Sequence, residues 1–439
     1  MKTGTKNTDY ENQLRYLLVR PGYIHSELGD LGRPDSVIIN DDFSTGSSFK
    51  GWSPYMAHVS VTGRCNARCA GCINSSITFQ DDIQNIHLSR AFDLQPDRDT
   101  QAIYELLQKA GAYDAVVCFY GGEPLLMPEL IAETIEQLES KCTQIRLQYM
   151  LYTYGLLLDK IAADFKSLLS KFWLVSISID GQADQHRCVR TGVDLDIIHK
   201  NLKAVHQKLC GNVLMWSTLR ESQSLRDCFE EFLFLESQNL IGHWFWHWVE
   251  AEEPFENFAE YCRNYEKDLR YILNVYIDRL KAGCPFSIIH LDELILFLLT
   301  NTKRQTTGCG VEENRNFDLV GGRILACADL GMEWELGRVD KSGHAYLENL
   351  DFQPIIDYKK HLGCFECGVH TYCGGRCPVQ AVSSTPQRLI EYCQLMRLHV
   401  GVVLQYMRTI STELNRQHIS VQQLYDRSAM FAQFTDVTP

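Results

Sequence analysis

Cys65-Asn66-Ala67-Arg68-Cys69-Ala70-Gly71-Cys72 is the stretch on which the reading of the chain turns. Its three thiols, separated by three and then two residues, stand on a short loop after an apolar run at 56–62. That spacing brings three sulfurs to one cluster. Iron-sulfur clusters normally take four cysteine thiolates, so a compact trio leaves one iron for a ligand that is not protein. A zinc knuckle short of its fourth ligand, or three incidental thiols, is the plainer alternative.

Working outward, short apolar runs alternate with longer amphipathic ones from Tyr55 onward, the pattern of successive strand-helix units. Strands are expected at 56–62, 115–120, 145–152, 172–179, 213–218 and 241–249, with helices at 128–140, 156–169, 194–209 and 225–236 between them. These predict an α/β fold in which a parallel sheet curls into a partial, TIM-like (β/α)6 barrel. Chemistry in such barrels sits at the C-terminal ends of the strands, and the cysteine loop follows the first one. The second expected strand ends in Tyr120-Gly121-Gly122-Glu123-Pro124. Paired glycines let backbone approach a ligand closely, and the adjoining carboxylate can accept hydrogen bonds from an ammonium group. The sixth, His243-Trp244-Phe245-Trp246-His247-Trp248, could line a peptide-binding cavity with aromatic and imidazole groups, but it reads mainly as core, since buried strands favour aromatic residues.

Taken together, CNARCAGC resembles the signature loop of the radical S-adenosylmethionine (SAM) enzymes, in which the free iron chelates SAM and an electron from the cluster cleaves it to a 5'-deoxyadenosyl radical. The resemblance implies that Cys65, Cys69 and Cys72 hold a [4Fe-4S] cluster and that Gly121, Gly122 and Glu123 are the GGE segment that binds the SAM amino group. Ser178-Ile179-Asp180-Gly181 resembles the SxDG segment, which places Ser178 at the SAM ribose, and Arg190 and Gly192 fit the same pattern. Thr153-Tyr154-Gly155 stands where many relatives carry Thr-Asn-Gly, so Tyr154 receives no cofactor role.

A second constellation begins at Cys309. Cys327 follows after seventeen residues, then Cys364-Phe365-Glu366-Cys367, Cys373, Cys377 and Cys393. The spacing is similar to that of the SPASM domain, the auxiliary-cluster extension of the same enzymes; structural zinc is the alternative. By that resemblance Cys309, Cys327 and Cys377 hold a first auxiliary [4Fe-4S] cluster, and Cys364, Cys367, Cys373 and Cys393 a second. The first is one thiolate short. Cys284, an acidic side chain such as Glu312, water or a substrate thiol are the candidates for the gap. Asp329, two residues after Cys327, is the candidate acid or base.

Composition agrees with such an enzyme. The 439 residues allow two or three domains at roughly 150 residues each. The expected division is an N-terminal extension at 1–54, the barrel at 55–300, the cysteine-rich SPASM domain at 301–395, and a C-terminal helix (394–415) and weakly patterned tail at 396–439. A net charge of −13 argues against a nucleic-acid partner. No run of eighteen apolar residues and no signal-peptide core occur, so a cytoplasmic protein without membrane contact is expected. Seventeen cysteines in a reducing compartment read as metal ligands and free thiols. The scattered Cys118, Cys142, Cys188, Cys210, Cys228, Cys262 and Cys284 read mostly as core.

Enzymes with SPASM domains most often modify ribosomal precursor peptides, forming thioether or carbon-carbon crosslinks, epimerising residues or excising backbone. The resemblance therefore implies a peptide maturase fed by a flavodoxin- or ferredoxin-type reductant. Residues 1–54 have no winged-helix pattern for gripping a leader, apart from a short helix near 10–18, so a separate recognition protein is the expected partner. That arrangement is similar to the Nif11-class maturases called spliceases, which remove tyramine at a tyrosine. The rivals are a sulfatase-maturing, formylglycine-forming enzyme and a non-catalytic iron-sulfur electron-transfer protein.

Overall fold

In a computed structural model of the protein, the residues described are 37–76, 79–80, 93–209, 211–304, 306–313, 316–330, 334–348, 359–360 and 362–435. The expected helix near 10–18 and Cys210 lie outside them.

Six strands, β1 (Tyr55–Thr62), β2 (Asp114–Gly121), β3 (Arg146–Thr153), β4 (Phe172–Ser178), β5 (Asn212–Leu219) and β6 (His243–Trp248), run parallel in that spatial order. Parallel neighbours require crossovers, and these are helical. They include α1 (Pro96–Lys109) and α2 (Pro128–Lys141), each opened by proline in its first turn, and α3 (Leu158–Asp164). α4 (Leu195–Val205) and α5 (Leu225–Ser237) are capped by Asp194 and Ser224 side chains that accept from backbone N–H groups. After β6, α6 (Phe258–Lys281) and α7 (Ile289–Thr300) pack behind the sheet. α7 is apolar almost all round and correspondingly buried.

The sheet continues past the first strand. β7 (Asn316–Val320) lies parallel on the free edge of β1, with Asp318 opposite His58. β8 (Arg323–Leu325), β9 (Glu335–Val339) and β10 (Ala345–Leu347) follow antiparallel, giving ten strands. The turn from β7 to β8 is Gly321-Gly322, with φ of +57° and +81°, the conformation a two-residue hairpin loop needs. Residues expected in the cysteine-rich segment thus complete the barrel's own sheet.

The last long helix, α8 (Pro386–Arg416), starts eight residues before the expected 394 because Pro386 occupies its first position and the Thr385 side chain accepts from Arg388 N–H. It therefore carries Cys393, and it passes the expected boundary at 395/396 without a break. After α9 (Val421–Arg427), with its Ser420/Gln423 capping box, a 3-10 turn at Ala429–Phe434 returns beneath the sheet. Phe431 and Phe434 join Met56, Val116, Leu174, Leu214 and Phe245 in the apolar lower layer of the barrel, with Trp173 ring centroids 5.6 and 5.0 Å away. What the sequence presents as a weakly patterned tail is the barrel's floor.

Alternation along β6 sends Trp244, Trp246 and Trp248 outward, where Trp246 donates to Tyr265 and Trp244 to Ser217. His247 points inward instead, above the apolar layer, with His58, Tyr120, Tyr152 and Trp216 from other strands.

Candidate active site

The cysteine loop is pinned at both ends by backbone. Arg64-Cys65 pairs with Phe79-Gln80, and Cys69 pairs with Arg190 across a second two-stranded ladder, while Ala70 N–H donates to Val189. The glycine pair after β2 packs against the loop's start: a Cβ on Gly122 would lie 2.2 Å from the Arg64 carbonyl oxygen. Gly122 and Glu123 N–H donate to the Thr62 and Arg64 carbonyls. The closeness that requires glycine here is to the chain's own backbone.

Glu123 is buried, with Oε1 accepting from Leu125 N–H and Thr153 Oγ1 and Oε2 from Tyr154 N–H. Burial pushes its carboxyl up to about 7 against these donors. Tyr154, which carries no motif residue, is therefore structural to the site: its N–H orients Glu123 and its hydroxyl bonds Asn66 within the cysteine loop.

Ser178 stands half-buried at the end of β4 on the cavity wall. Asp180 behind it is fully buried, accepting from Arg190 Nε (2.7 Å) and Nη2 (3.1 Å), from Arg220 Nη1 (2.9 Å) and from Thr218 N–H (2.9 Å). Burial alone raises its carboxyl, but the Arg190 and Arg220 guanidiniums hold it below the ordinary range. Both arginines reach onward to the loop: Arg220 Nε donates to the Ala70 carbonyl at 2.5 Å, and Arg190 Nη1 lies 3.7 Å from Cys69 Sγ.

Cys65, Cys69 and Cys72 open onto one cavity of about 210 Å³, and Cys309, Cys327 and Cys377 line the same cavity. Cys364, Cys367, Cys373 and Cys393 surround a separate pocket of about 30 Å³. The electrostatic couplings fall into the same groups: Cys65 feels Cys69 and Cys72; Cys327 feels Cys309 and Cys377; Cys364 feels its three companions. Burial pushes the Cys65 thiol up to about 12, so binding iron as thiolate must release protons. Among the described residues no three His, Cys, Asp or Glu side chains close around a single metal ion.

Of the scattered cysteines, Cys118, Cys142, Cys228 and Cys262 are buried, and Cys188 and Cys284 are exposed. Cys284 lines neither cavity. Glu312 is committed elsewhere, accepting from Thr307 and from Lys359 Nζ at 2.7 Å.

The cavity that both trios line also holds an ionisable group of which motif reasoning reaches only Asp329. His58 Nδ1 is 3.3 Å from Asp318 Oδ1, Asp318 Oδ2 accepts from Ala328 N–H, and Tyr120 and Asp329 lie beside them. His247 Nε2 is 2.9 Å from Thr218 Oγ1 and edge-on to Trp216. The available signal was alternation: a polar side chain at an inward position of an otherwise apolar barrel strand.

The sequence profile of the Radical SAM superfamily matches residues 59–218, which run from β1 into β5. No curated protein matches the chain significantly. Among solved structures, anSMEcpe with bound AdoMet is similar in fold, with a TM-score of 0.61 and 16% identity over 82% of this chain and 99% of that one. The complex of anSMEcpe with AdoMet and Cp18Cys peptide gives 0.61 and 17%, over 82% and 100%. Streptococcus suis SuiB bound to S-adenosylmethionine gives 0.49 and 16%, over 76% and 73%. No helix among the described residues is long and apolar enough to cross a membrane.

Proposed function

We propose, from the premise that residues 59–218 are a radical SAM domain, that the chain modifies a ribosomal precursor peptide by hydrogen-atom abstraction. The observation that carries this is the pair of cysteine trios opening onto one aromatic-walled cavity with ionisable side chains between them. Cys65, Cys69 and Cys72 would hold the [4Fe-4S] cluster that works with SAM, with Gly121, Gly122, Glu123 and Ser178 at the SAM side. Cys309, Cys327 and Cys377 would hold the first auxiliary cluster, and Cys364, Cys367, Cys373 and Cys393 the second. When bound, the first cluster and SAM supply hydrogen-atom abstraction.

The chain's own residues do the rest. Asp180, through Arg190 and Arg220, fixes the backbone and one sulfur of the cysteine loop, and Tyr154 and Thr153 orient Glu123. Tyr120, Tyr152 and Trp216 exclude water and offer flat apolar surface to a tyrosine side chain. Asp329, which lines the cavity with the His58–Asp318 pair, would take or give a proton at the substrate. A peptide substrate is supported by the fold's likeness to a protein solved with a peptide bound. A separate recognition protein and a flavodoxin- or ferredoxin-type reductant complete the proposed system, and tyramine excision is the specific outcome expected.

The test is anaerobic reconstitution of the full chain, reduction, and incubation with SAM and the peptides encoded beside it. 5'-Deoxyadenosine should form, and replacing Cys65, Cys69 and Cys72 together by Ala should abolish it while auxiliary iron stays. A peptide mass loss equal to tyramine marks excision, a loss of two hydrogens a crosslink, and deuterium uptake at constant mass an epimerisation. Oxidation of a sulfatase Cys or Ser with every such peptide ignored would establish the formylglycine reading, which Asp329 beside Cys327 also fits. Zinc without sulfide would sink the radical reading altogether.

A further inference from the structure

His58, Asp318 and Asp329 belong to the side of the cavity formed by β1, β7 and the turn after β8. At the opposite end of the parallel strand order, where β5 and β6 stop, a second polar group is built. Thr218 and His247 are direct cross-strand partners there, and both line the cavity. His247 Nε2 is 2.9 Å from Thr218 Oγ1, and the imidazole stands edge-on to Trp216 with ring centroids 5.5 Å apart. Its other nitrogen, Nδ1, faces Glu250, which lies just past the end of β6 and is not part of the cavity wall; Nδ1 and Oε2 are 3.6 Å apart.

The side chains of His247 and Glu250 are 1% and 6% exposed, and neither Nδ1 nor either carboxylate oxygen has a hydrogen-bond partner among the described residues. Buried polar atoms in that state are costly, and each of these two groups is what the other lacks. The gap of 3.6 Å is one that a small side-chain rotation closes. The backbone around Glu250 holds it in reach: Tyr392 hydroxyl bonds the Val249 carbonyl, Ser384 Oγ donates to the Ala251 carbonyl at 2.7 Å, and Thr385 N–H donates to the Glu252 carbonyl at 2.9 Å. A ring nitrogen that faces a carboxylate carries the hydrogen, which leaves Nε2 as acceptor and the Thr218 hydroxyl as donor. Hydroxyl, imidazole and carboxylate thus follow one another from the cavity wall inward, a base oriented by a third group behind it.

We propose that Thr218, His247 and Glu250 form a proton relay serving the substrate from the β5–β6 side of the cavity; this rests on the reading that a peptide loses a hydrogen atom there. The proton comes from an N–H or O–H of the peptide next to the carbon left as a radical. It passes to Thr218 Oγ1 while the hydroxyl's own proton passes to His247 Nε2. The substrate gives up one proton and no electron, and the imidazolium formed faces the Glu250 carboxylate. Reversal hands the proton to the departing fragment. Thr218 and His247 are the catalytic residues, and Glu250 is a positioning residue. With Asp329 on the other side, a proton removed at one wall is replaced from the other.

The experiment compares the reconstituted full-length chain with T218V, T218S, H247Q, H247G and E250Q, given SAM, reductant and the peptides encoded beside it, and counts modified peptide per 5'-deoxyadenosine formed. T218V and H247Q should lower that ratio by about 10²-fold or more. T218S should restore it, and added imidazole should raise it in H247G but not in T218V. E250Q should lower kcat with KM unchanged, because an amide still accepts from Nδ1 but does not balance an imidazolium. In crystals of the reconstituted wild type, His247 Nδ1 should lie within about 3.2 Å of a Glu250 oxygen. A wild-type ratio in T218V or H247Q overturns the relay. So do an equal fall in T218S and a loss in H247G that imidazole does not move, since both mark a merely structural role. The underlying reading fails separately, when the wild type forms no 5'-deoxyadenosine or modifies no peptide; the crystal then still tests the relay, which a Glu250 carboxylate turned away from His247 overturns.

Discussion

Asp180 is the side chain with most resting on it. It is buried with two guanidiniums, and both continue to the cysteine loop. Replacing it by Ala leaves two buried cations without their counter-ion, which is expected to cost about 3–5 kcal/mol. The urea midpoint of D180A should fall accordingly, and the loop should lose iron while the Cys364 quartet keeps its own, as a chelator titration followed by metal analysis would show. An unchanged midpoint would mean that solvent replaces the carboxylate freely. Asp180 was visible in the sequence through its neighbours Ser178 and Gly181. Its partner Arg220 was not, nor were His58 and Asp318, because a charged or polar residue inside or just past a barrel strand leaves no spacing of its own. It is distinguished only by which face it takes.

At the scale of elements, the contact between the turn after β2 and the start of the cysteine loop is the tightest joint near the site. In Gly122→Ala the added carbon would sit 2.2 Å from the Arg64 carbonyl oxygen and 3.1 Å from Cys65 Cβ, so one segment must move. The variant should fold with little change in far-UV circular dichroism yet fail to retain the cluster proposed for the Cys65 loop; full iron occupancy would refute the steric argument. The six parallel strands were legible because each is a sustained run set between helices, most of which have capping or proline starts. β7 to β10 were not. They have three to five residues each, and the cysteines around them drew the eye to ligand spacing. The Gly321-Gly322 hairpin turn was the signal that could have found them. The early start of α8 is likewise signalled by Thr385-Pro386, whereas the expected start at 394 followed the end of the cysteine spacing.

For the whole molecule, several buried histidines set a pH limit. Burial holds His186 and His243 down to about 4 and His399 down to about 3, so all three are neutral in the fold. The unfolded chain takes up these protons near pH 6.5, so their contribution is complete above about 6.5 and is lost as pH falls toward 4. Each contributes a slope of about 1.4 kcal/mol per pH unit in that window. Glu123, raised to about 7, acts oppositely by one group, leaving a net loss of about 3 kcal/mol per pH unit between about 6 and 4.5. Urea midpoints measured at pH 7 and 5 should differ in that direction; equal midpoints would contradict the buried neutral state. The floor makes a second demand. Phe434 is fully buried against Trp52 and Trp173, and Phe434→Ala should cost about 3–5 kcal/mol by chemical denaturation. That floor packs against α7 and α9, and α9 is joined by a short turn to α8, the helix that carries Cys393. If the quartet holds iron as proposed, whatever metal capture gains from the docking of α8 it must return to that docking by the same factor. Stripping iron from the quartet should loosen the barrel's underside, and a variant with a damaged underside should give up that iron at lower chelator concentration.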